Sequence, residues 1–514
     1  MAVELGASRL LAPYFSSSQI VWTIIIAVIM IAMALGNIYG GRSADKNPNP
    51  DVLYRRLIIS AVWIAAIPVL GKYIILLISG VLIVTINHNL LIIAAFLACL
   101  IIFVMPCFLL GTVTPSLVKY TVDNLDTQGS TVGRLSAFNT IGSIVGTFLP
   151  TFITIPTVGT SITFLIFSGI VLILGIIYFI AQKKKFILII VSTVLYVLCI
   201  IFGNSDKFAF WENNLAYEGE SVYNYLQVKD DESETILSTN VLFGVQSIRN
   251  KDDSLTGMYY DYALFAPLLA SKDSDYSDED VLILGMGTGT YASELKKYLG
   301  INNITGVEID EKIIDISRDY FELEDSIPVV AYDGRAYLSA EKKKYDVIMV
   351  DAYQDITIPF QMSSREFFTE VKNHLKPNGI MVLNMNMRSG EKASINEYLS
   401  DTVSDVFKNV YYTDVSASLN RELFASNADI RRTNIIDRLK NVRNSELRSF
   451  FSEELIFYEK YHVKPKGERC IFTDDKAPVE LLGMKVIDEV ISDELGYYKA
   501  AFKKDGFKGL LEGM

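Results

Sequence analysis

Two kinds of hydrophobic pattern divide the 514-residue chain. As far as Gly203, apolar residues run on for about 20 positions at a time, the length a helix needs to cross roughly 30 Å of hydrocarbon. Spans are predicted at Gln19–Ile38, Leu57–Ile86, Leu90–Gly111, Leu135–Ile155, Ile162–Ala181 and Phe186–Gly203. The second carries Pro68 and then Gly71-Lys72. It reads as one kinked helix, a helix with a re-entrant piece, or two short helices, so the count is six or seven. The first eighteen residues include Glu4, Arg9 and Pro13 and lack a basic start with an apolar core, so the first span is expected to be retained.

Beyond Gly203 the period shortens. Residues 216–262 alternate like a small β region, with SVYNYLQV and VLFGVQSI as its strands. Strands are then predicted at Val281–Leu284, Ile304–Ile309, Pro328–Ala331, Tyr345–Val350 and Gly379–Asn384. Helices are predicted between them at Tyr291–Leu299, Glu311–Tyr320, Arg335–Ala340 and Ser364–Leu375. Such alternation predicts a doubly wound, Rossmann-like parallel sheet with ligands beyond the carboxyl ends of its strands. The expected organisation is a helical membrane domain over 1–203, a linker and small β region over 204–265, and an α/β domain over 266–514.

Charge follows the same division. Residues 1–203 hold eleven basic against five acidic residues, a balance of +6, and the remainder 36 against 54, or −18. The acidic part disfavours nucleic acid and suits cationic partners. Cys99, Cys107 and Cys199 lie in apolar runs, and Cys470 stands alone. With only three scattered histidines, no metal centre or disulfide framework is expected.

Candidate chemistry lies at the strand ends. VLILGMGTGT places Gly285, Gly287 and Gly289 after the first strand, where missing side chains permit a tight turn and close ligand approach. Glu308, in GVEID, ends the second strand, where a carboxylate can accept both hydroxyls of a ribose. Asp333, in AYDGRAYL, can accept from an adenine amino group, and Asp351, in IMVDAYQD, closes the fourth strand. With no Walker lysine and three acids, the set rejects a pyrophosphate and welcomes a cationic nucleoside such as an adenosyl sulfonium.

These residues resemble the spermidine synthase (polyamine aminopropyltransferase) family on the class I methyltransferase-like fold, and the chain looks like its membrane-fused bacterial branch. The resemblance rests on ELGASRLLAPYF, GGRSAD, ESVYNYLQV, VLILGMGTGT, GVEID, YDGRAYL, VDAYQDITIPF, SREFF, LKPNGIMVLN and FTDDKAPVE. It implies that Glu308 holds the ribose, Asp333 the adenine, and Asp351 the surroundings of the sulfonium and incoming amine. Gln246 joins the donor-binding set; Tyr260, Asp261 and Tyr353 are assigned to the acceptor. The chain departs from the family at three places. Thr288 stands where the glycine loop usually carries an acid, Tyr260-Asp261-Tyr262 where Tyr-His/Gln-Glu is usual, and Gln354 where the second acid of the Asp-Ser-Ser-Asp signature falls, with Asp355 one step later.

An attacking amine must lose a proton, so a carboxylate within reach is the natural base. Asp355 is the first candidate and Asp351 the second. ITIPFQMSSREFF is expected to fold over the pocket, and Asp474, Asp475 and Glu480 to face a polycation or cap the last helix. The expected reaction is aminopropyl transfer from decarboxylated S-adenosylmethionine to a di- or polyamine. The alternatives are methyl transfer from S-adenosylmethionine, which Thr288 suits better, and a transporter with a nucleoside- or polyamine-sensing domain. The expected partners are a cationic amine and membrane lipid, with no nucleic acid and with self-association left open. The expected location is the cell membrane. Its side is contested, because loop charges at Arg42–Arg56, Lys119–Arg134 and Lys183–Lys185 put the later domain outside, whereas the donor is cytosolic.

Overall fold

The computed structural model describes residues 1–86, 88–121, 128–203, 207–212, 215–241, 245–270, 277–352, 358–416, 418–429, 432–454 and 458–512. It divides into two compact units, Met1–Trp211 with Val490–Met514, and Glu212–Glu489.

The first unit is helical: α1 (Ala2–Phe15), α2 (Gln19–Lys46), α3 (Pro50–Thr85), α4 (Leu90–Gly111), α5 (Val113–Thr121), α6 (Gln128–Leu149), α7 (Ile155–Ala181) and α8 (Phe186–Gly203). Ser18 Oγ caps α2 by accepting from Val21 N at 3.4 Å. Asn49 caps α3 through Asp51 N at 2.9 Å, with Pro50 in the first turn, where no amide proton is missed. Helices α2 and α4 meet at Gly36 and Gly111, where a Cβ on Gly111 would lie 2.5 Å from Met33 O. That contact is open only to a residue without a side chain.

Among the described residues, five helical stretches are long and apolar enough to cross a membrane: Gln19–Lys46, Pro50–Ile83, Leu90–Thr121, Gly129–Ala181 and Phe186–Gly203. The fourth of these is 53 residues long and holds both the fourth and the fifth expected spans, so each of the six expected spans falls on a helical segment. The fourth and fifth share one stretch, in which α6, a π-helical turn (Pro150–Thr154) and α7 are continuous except at Gly159, with φ 80° and ψ 174°. The break expected at 157–161 is this point: Thr163 Oγ1 lies 3.0 Å from Thr154 Oγ1, whereas residues nine apart in a straight helix stand about 13 Å apart, so the chain bends sharply at Gly159. The long second span is one helix that carries Pro68 inside it.

The second unit contains two sheets. The first is antiparallel, β1 (Leu215–Glu220), β2 (Tyr225–Asp230), β3 (Glu234–Ser238) and β4 (Ser247–Asn250), in sequential order. Among the described residues four strands stand where two were expected; of VLFGVQSI, residues 242–244 lie outside the described residues, and Ser247 and Ile248 belong to β4.

The second sheet has eight strands: β5 (Asp280–Leu284), β6 (Asn303–Glu308), β7 (Val329–Ala331), β8 (Tyr345–Val350), β9 (Leu375–Met385), β10 (Asn409–Asp414), β11 (Arg421–Ser426) and β12 (Glu459–Lys460). Their spatial order is β12-β10-β11-β9-β8-β5-β6-β7. Strands β9, β8, β5, β6 and β7 are mutually parallel, whereas β11 runs antiparallel to β9, and β10 to β11. The doubly wound fold is thus present with an antiparallel tail. Between β5 and β8 the strand order reverses, which opens a crevice at the carboxyl ends.

Its helices are α9 (Tyr259–Ala263), α10 (Ala266–Ala270), α11 (Thr290–Glu294), α12 (Glu311–Asp319), α13 (Gly334–Ala340), α14 (Arg365–His374), α15 (Ile395–Val406), α16 (Arg432–Leu439) and α17 (Ser445–Glu454); α18 spans Val479–Glu512. The helix expected at Tyr291–Leu299 is α11 followed by a π-helical turn, Leu295–Leu299. One face of the large sheet packs Val281, Ile283, Val347, Met349, Ile380, Val382 and Phe424 against α9 and α10. At roughly 25 cal/mol per Å² of buried apolar surface, this core is the main source of the unit's rigidity.

Candidate functional site

The loop after β5 packs tightly against the end of β8. Gly285 has φ +82°, and a Cβ there would lie 2.5 Å from Ala352 Cα and 2.6 Å from Asp351 O. Gly287, at φ +55°, turns its amide to donate to Glu308 Oε2 at 2.9 Å. Glu308 Oε1 accepts from Asp310 N at 3.1 Å. Burial raises the Glu308 carboxyl above its ordinary value, and the donated amide protons oppose that rise. Asp310 caps α12 through Lys312 N at 3.1 Å and accepts from Ser221 Oγ (2.5 Å) and Asn224 Nδ2 (3.0 Å). The turn between β1 and β2 is thereby tied to the end of β6.

Asp351 follows β8. Its Oδ2 accepts from Tyr259 Oη at 2.6 Å and its Oδ1 from Asn384 Nδ2 at 2.8 Å. Asn384 Oδ1 in turn accepts from Asn420 Nδ2 at 2.8 Å. Desolvation pushes Asp351 up to about 7, the Tyr259 and Asn384 donors work against it, and the negative charge of Glu308 adds to it. A carboxyl poised there can exchange a proton near neutrality. Asp333 begins α13 and accepts from Ala336 N at 2.8 Å through Oδ1.

A cavity of about 200 Å³ connects these groups. Its wall includes Gln246, Tyr260, Gly285, Gly287, Glu308, Asp333 and Asp351. Tyr260 donates to Gln246 O at 2.9 Å, and its ring centroid lies 4.0 Å from that of Tyr259.

Two predicted residues are absent from the wall. Asp261 is fully buried and accepts from Gly257 N (2.6 Å) and from Thr256 N (3.2 Å) and Oγ1 (3.1 Å). It also pairs with the buried Glu294. Its carboxyl organises the start of α9 and takes no part in the cavity wall. Gly289 caps α11 at φ +82°, and a Cβ there would lie 2.6 Å from Leu323. This third glycine serves packing. Tyr353, Gln354 and Asp355 lie outside the described residues. Thr288 is buried, with its amide 3.4 Å from Ser247 Oγ.

Of the stretch expected to cover the pocket, Pro359, Gln361 and Met362 line the cavity. Asp474, expected as a cap or polycation ligand, instead holds Arg335 of α13 through two 2.8 Å bonds and accepts from Ser364, the cap of α14, at 2.5 Å.

Sequence reasoning missed Tyr259 and Asn384. Asn384 closes the fifth strand, so the strand-end rule carried one strand further finds it. Tyr259 is hidden among the tyrosines of MYYDYA.

The two edges of the parallel sheet differ in charge. At the amino edge, Lys376 Nζ lies 2.7 Å from both Asp280 and Asp346, and Lys343 lies 2.7 Å from Asp280. At the carboxyl edge, Glu308, Asp333 and Asp351 form no ion pair among the described residues, while Glu308 and Asp351 are desolvated. Uncompensated buried carboxylates are costly unless protonated or paired. Positive charge in the crevice would offset that cost.

A profile of the Spermine/spermidine synthase domain matches residues 266–417. The probable polyamine aminopropyl transferase of Bifidobacterium longum (strain NCC 2705) is 53% identical over 352 residues, covering 66% of this chain and 78% of that protein. The polyamine aminopropyltransferase of Alkaliphilus metalliredigens (strain QYMF) is 32% identical over 147 residues, 27% of this chain and 49% of its own length. A solved probable spermidine synthase from Corynebacterium glutamicum ATCC 13032 aligns over 50% of this chain and 99% of its own, at 19% identity and a TM-score of 0.39.

Proposed function

Because this chain belongs to the spermidine synthase family of polyamine aminopropyltransferases, we propose that it moves the aminopropyl group of decarboxylated S-adenosylmethionine onto a di- or polyamine, and does so at a membrane. The carrying observation is the carboxyl edge: bare glycine backbone beside three acids with no basic partner among the described residues, one of them, Asp351, raised to about 7. A positively charged nucleoside and a positively charged amine both lower the cost of those acids.

In this reading Glu308 takes the ribose hydroxyls, and the Asp333 oxygen left outside the α13 cap takes the adenine amino group. Gly285, Gly287 and Gln246 line the donor's path. The neutral amine attacks the aminopropyl carbon bonded to sulfur. A carbon–nitrogen bond forms, the carbon–sulfur bond breaks with its electron pair going to sulfur, and methylthioadenosine leaves. The proton shed by the amine passes to a carboxylate. Asp351 is placed and tuned for that step, with Asp355 retained as a second base and Tyr353 and Tyr260 as walls for the cation. Tyr259 and Asn384 hold the Asp351 carboxylate in one orientation. Residues 1–203 serve as the membrane anchor, and 266–514 carry the transfer.

The test offers the purified protein either decarboxylated or ordinary S-adenosylmethionine with a series of amines, and identifies the thioether by mass. Methylthioadenosine is expected. S-adenosylhomocysteine would replace this reading with methyl transfer, and donor binding without either product would replace it with a sensor.

A further inference from the structure

A polar row crosses the sheet beside the cavity. Asp351 follows β8, and its neighbour Asn384 stands on β9. Glu422 on β11 is paired with Asn384, and Thr413 on β10 with Glu422. Directly opposed residues share a face, so the four side chains form one line over the same face as Val382 and Phe424, where α9 packs on β11.

The far end of the row is unusual. Glu422 is 0% exposed and Thr413 5% exposed. Both Glu422 oxygens and Thr413 Oγ1 lack a hydrogen-bond partner among the described residues. A carboxyl sunk in an apolar sheet without a partner is a large desolvation cost that packing alone does not require. Leu423 and Phe424 show that this strand otherwise accepts apolar residues. Three unmatched oxygens on one cross-strand pair equal the three donors of a primary ammonium group.

We propose that Glu422, with Thr413, seats the second, distal ammonium of the acceptor, so that Asp351 and Glu422 together select a diamine over a monoamine. This rests on the aminopropyl-transfer reading above. Two strand spacings separate the two carboxyl-bearing strands, about 10 Å, a span suited to a short α,ω-diamine held between two acids. The reacting nitrogen must be neutral and lies at Asp351, while the other nitrogen stays protonated and lies at Glu422. Burial holds the Glu422 carboxyl above its ordinary value, with the Asp351 charge adding to it, and an ammonium beside it offsets the cost of its charge.

The test uses the full-length protein with decarboxylated S-adenosylmethionine and either 1,4-diaminobutane or butylamine as acceptor. In Glu422→Gln the ratio of kcat/KM for diamine over monoamine is expected to fall roughly tenfold to a hundredfold, the worth of one charged hydrogen-bonded contact. The diamine KM should carry the change, and the donor KM should stay fixed. Thr413→Val should lower the same ratio by a smaller factor, and it carries the test should Glu422→Gln not fold. A ratio unmoved in the folded variants overturns the seat while leaving aminopropyl transfer intact. Wild-type protein that makes no methylthioadenosine with any amine overturns both.

Discussion

Burial sets the titration range of Asp351, and the Tyr259 hydroxyl pulls against it. Because burial raises this carboxyl to about 7, the proposed base is deprotonated mainly above that pH. Transfer should therefore decline as pH falls through about 7. Tyr259→Phe removes the hydroxyl that favours the ionised form, so the acidic limb of kcat/KM should move to higher pH. A limb that stays in place in this variant would remove Tyr259 from the mechanism. Stability follows with the opposite benefit. The unfolded carboxyl ionises near its reference value of about 3.9 while the folded one keeps its proton, so stability falls as pH rises from there to about 7. Asp351→Asn should accordingly melt higher than wild type at pH 8, with little gain at pH 4, while losing transfer. Of these groups the sequence reveals the acids, because each ends a strand whose apolar pattern is plain. It does not reveal Tyr259, whose partner lies 92 positions away, nor the inward turn of Asp261, which depends on the backbone at Thr256 and Gly257.

The glycine loop joins two elements that local periodicity treats as separate. Gly285 holds a positive φ against the chain after β8, so Gly285→Ala adds left-handed strain and a backbone overlap together. A loss of roughly 3 kcal/mol or more is expected, seen as a lower melting temperature of the purified protein and weaker donor binding. Unchanged melting would mean that β5 and β8 are not locked in this way. The alternation of strand and helix was readable from Val281 to Asn384 because each buried strand is bounded by polar turns and followed by an amphipathic helix such as α12. The tail was not readable in the same manner. Strands β10, β11 and β12 follow no repeat, and RELFAS hides an acid in a strand that is buried from its second residue onward.

Five long apolar helices in one unit and an acid-rich cleft in the other give the chain two environments to satisfy. Washing membranes that contain the protein with alkaline carbonate should leave it in the pellet, and its release into the supernatant would contradict spanning helices. A C-terminal tag exposed to protease in intact cells then assigns the side on which transfer occurs. The order of synthesis bears on the whole chain as well. Strand β11 inserts between β9 and β10 although it is made after both. From the moment Met385 leaves the ribosome until Ser426 follows, the long, greasy β9 has one flank without its permanent neighbour. Nascent chains stalled in that interval should be the ones that recruit chaperones or clump together, whereas chains stalled beyond Ser426 should not.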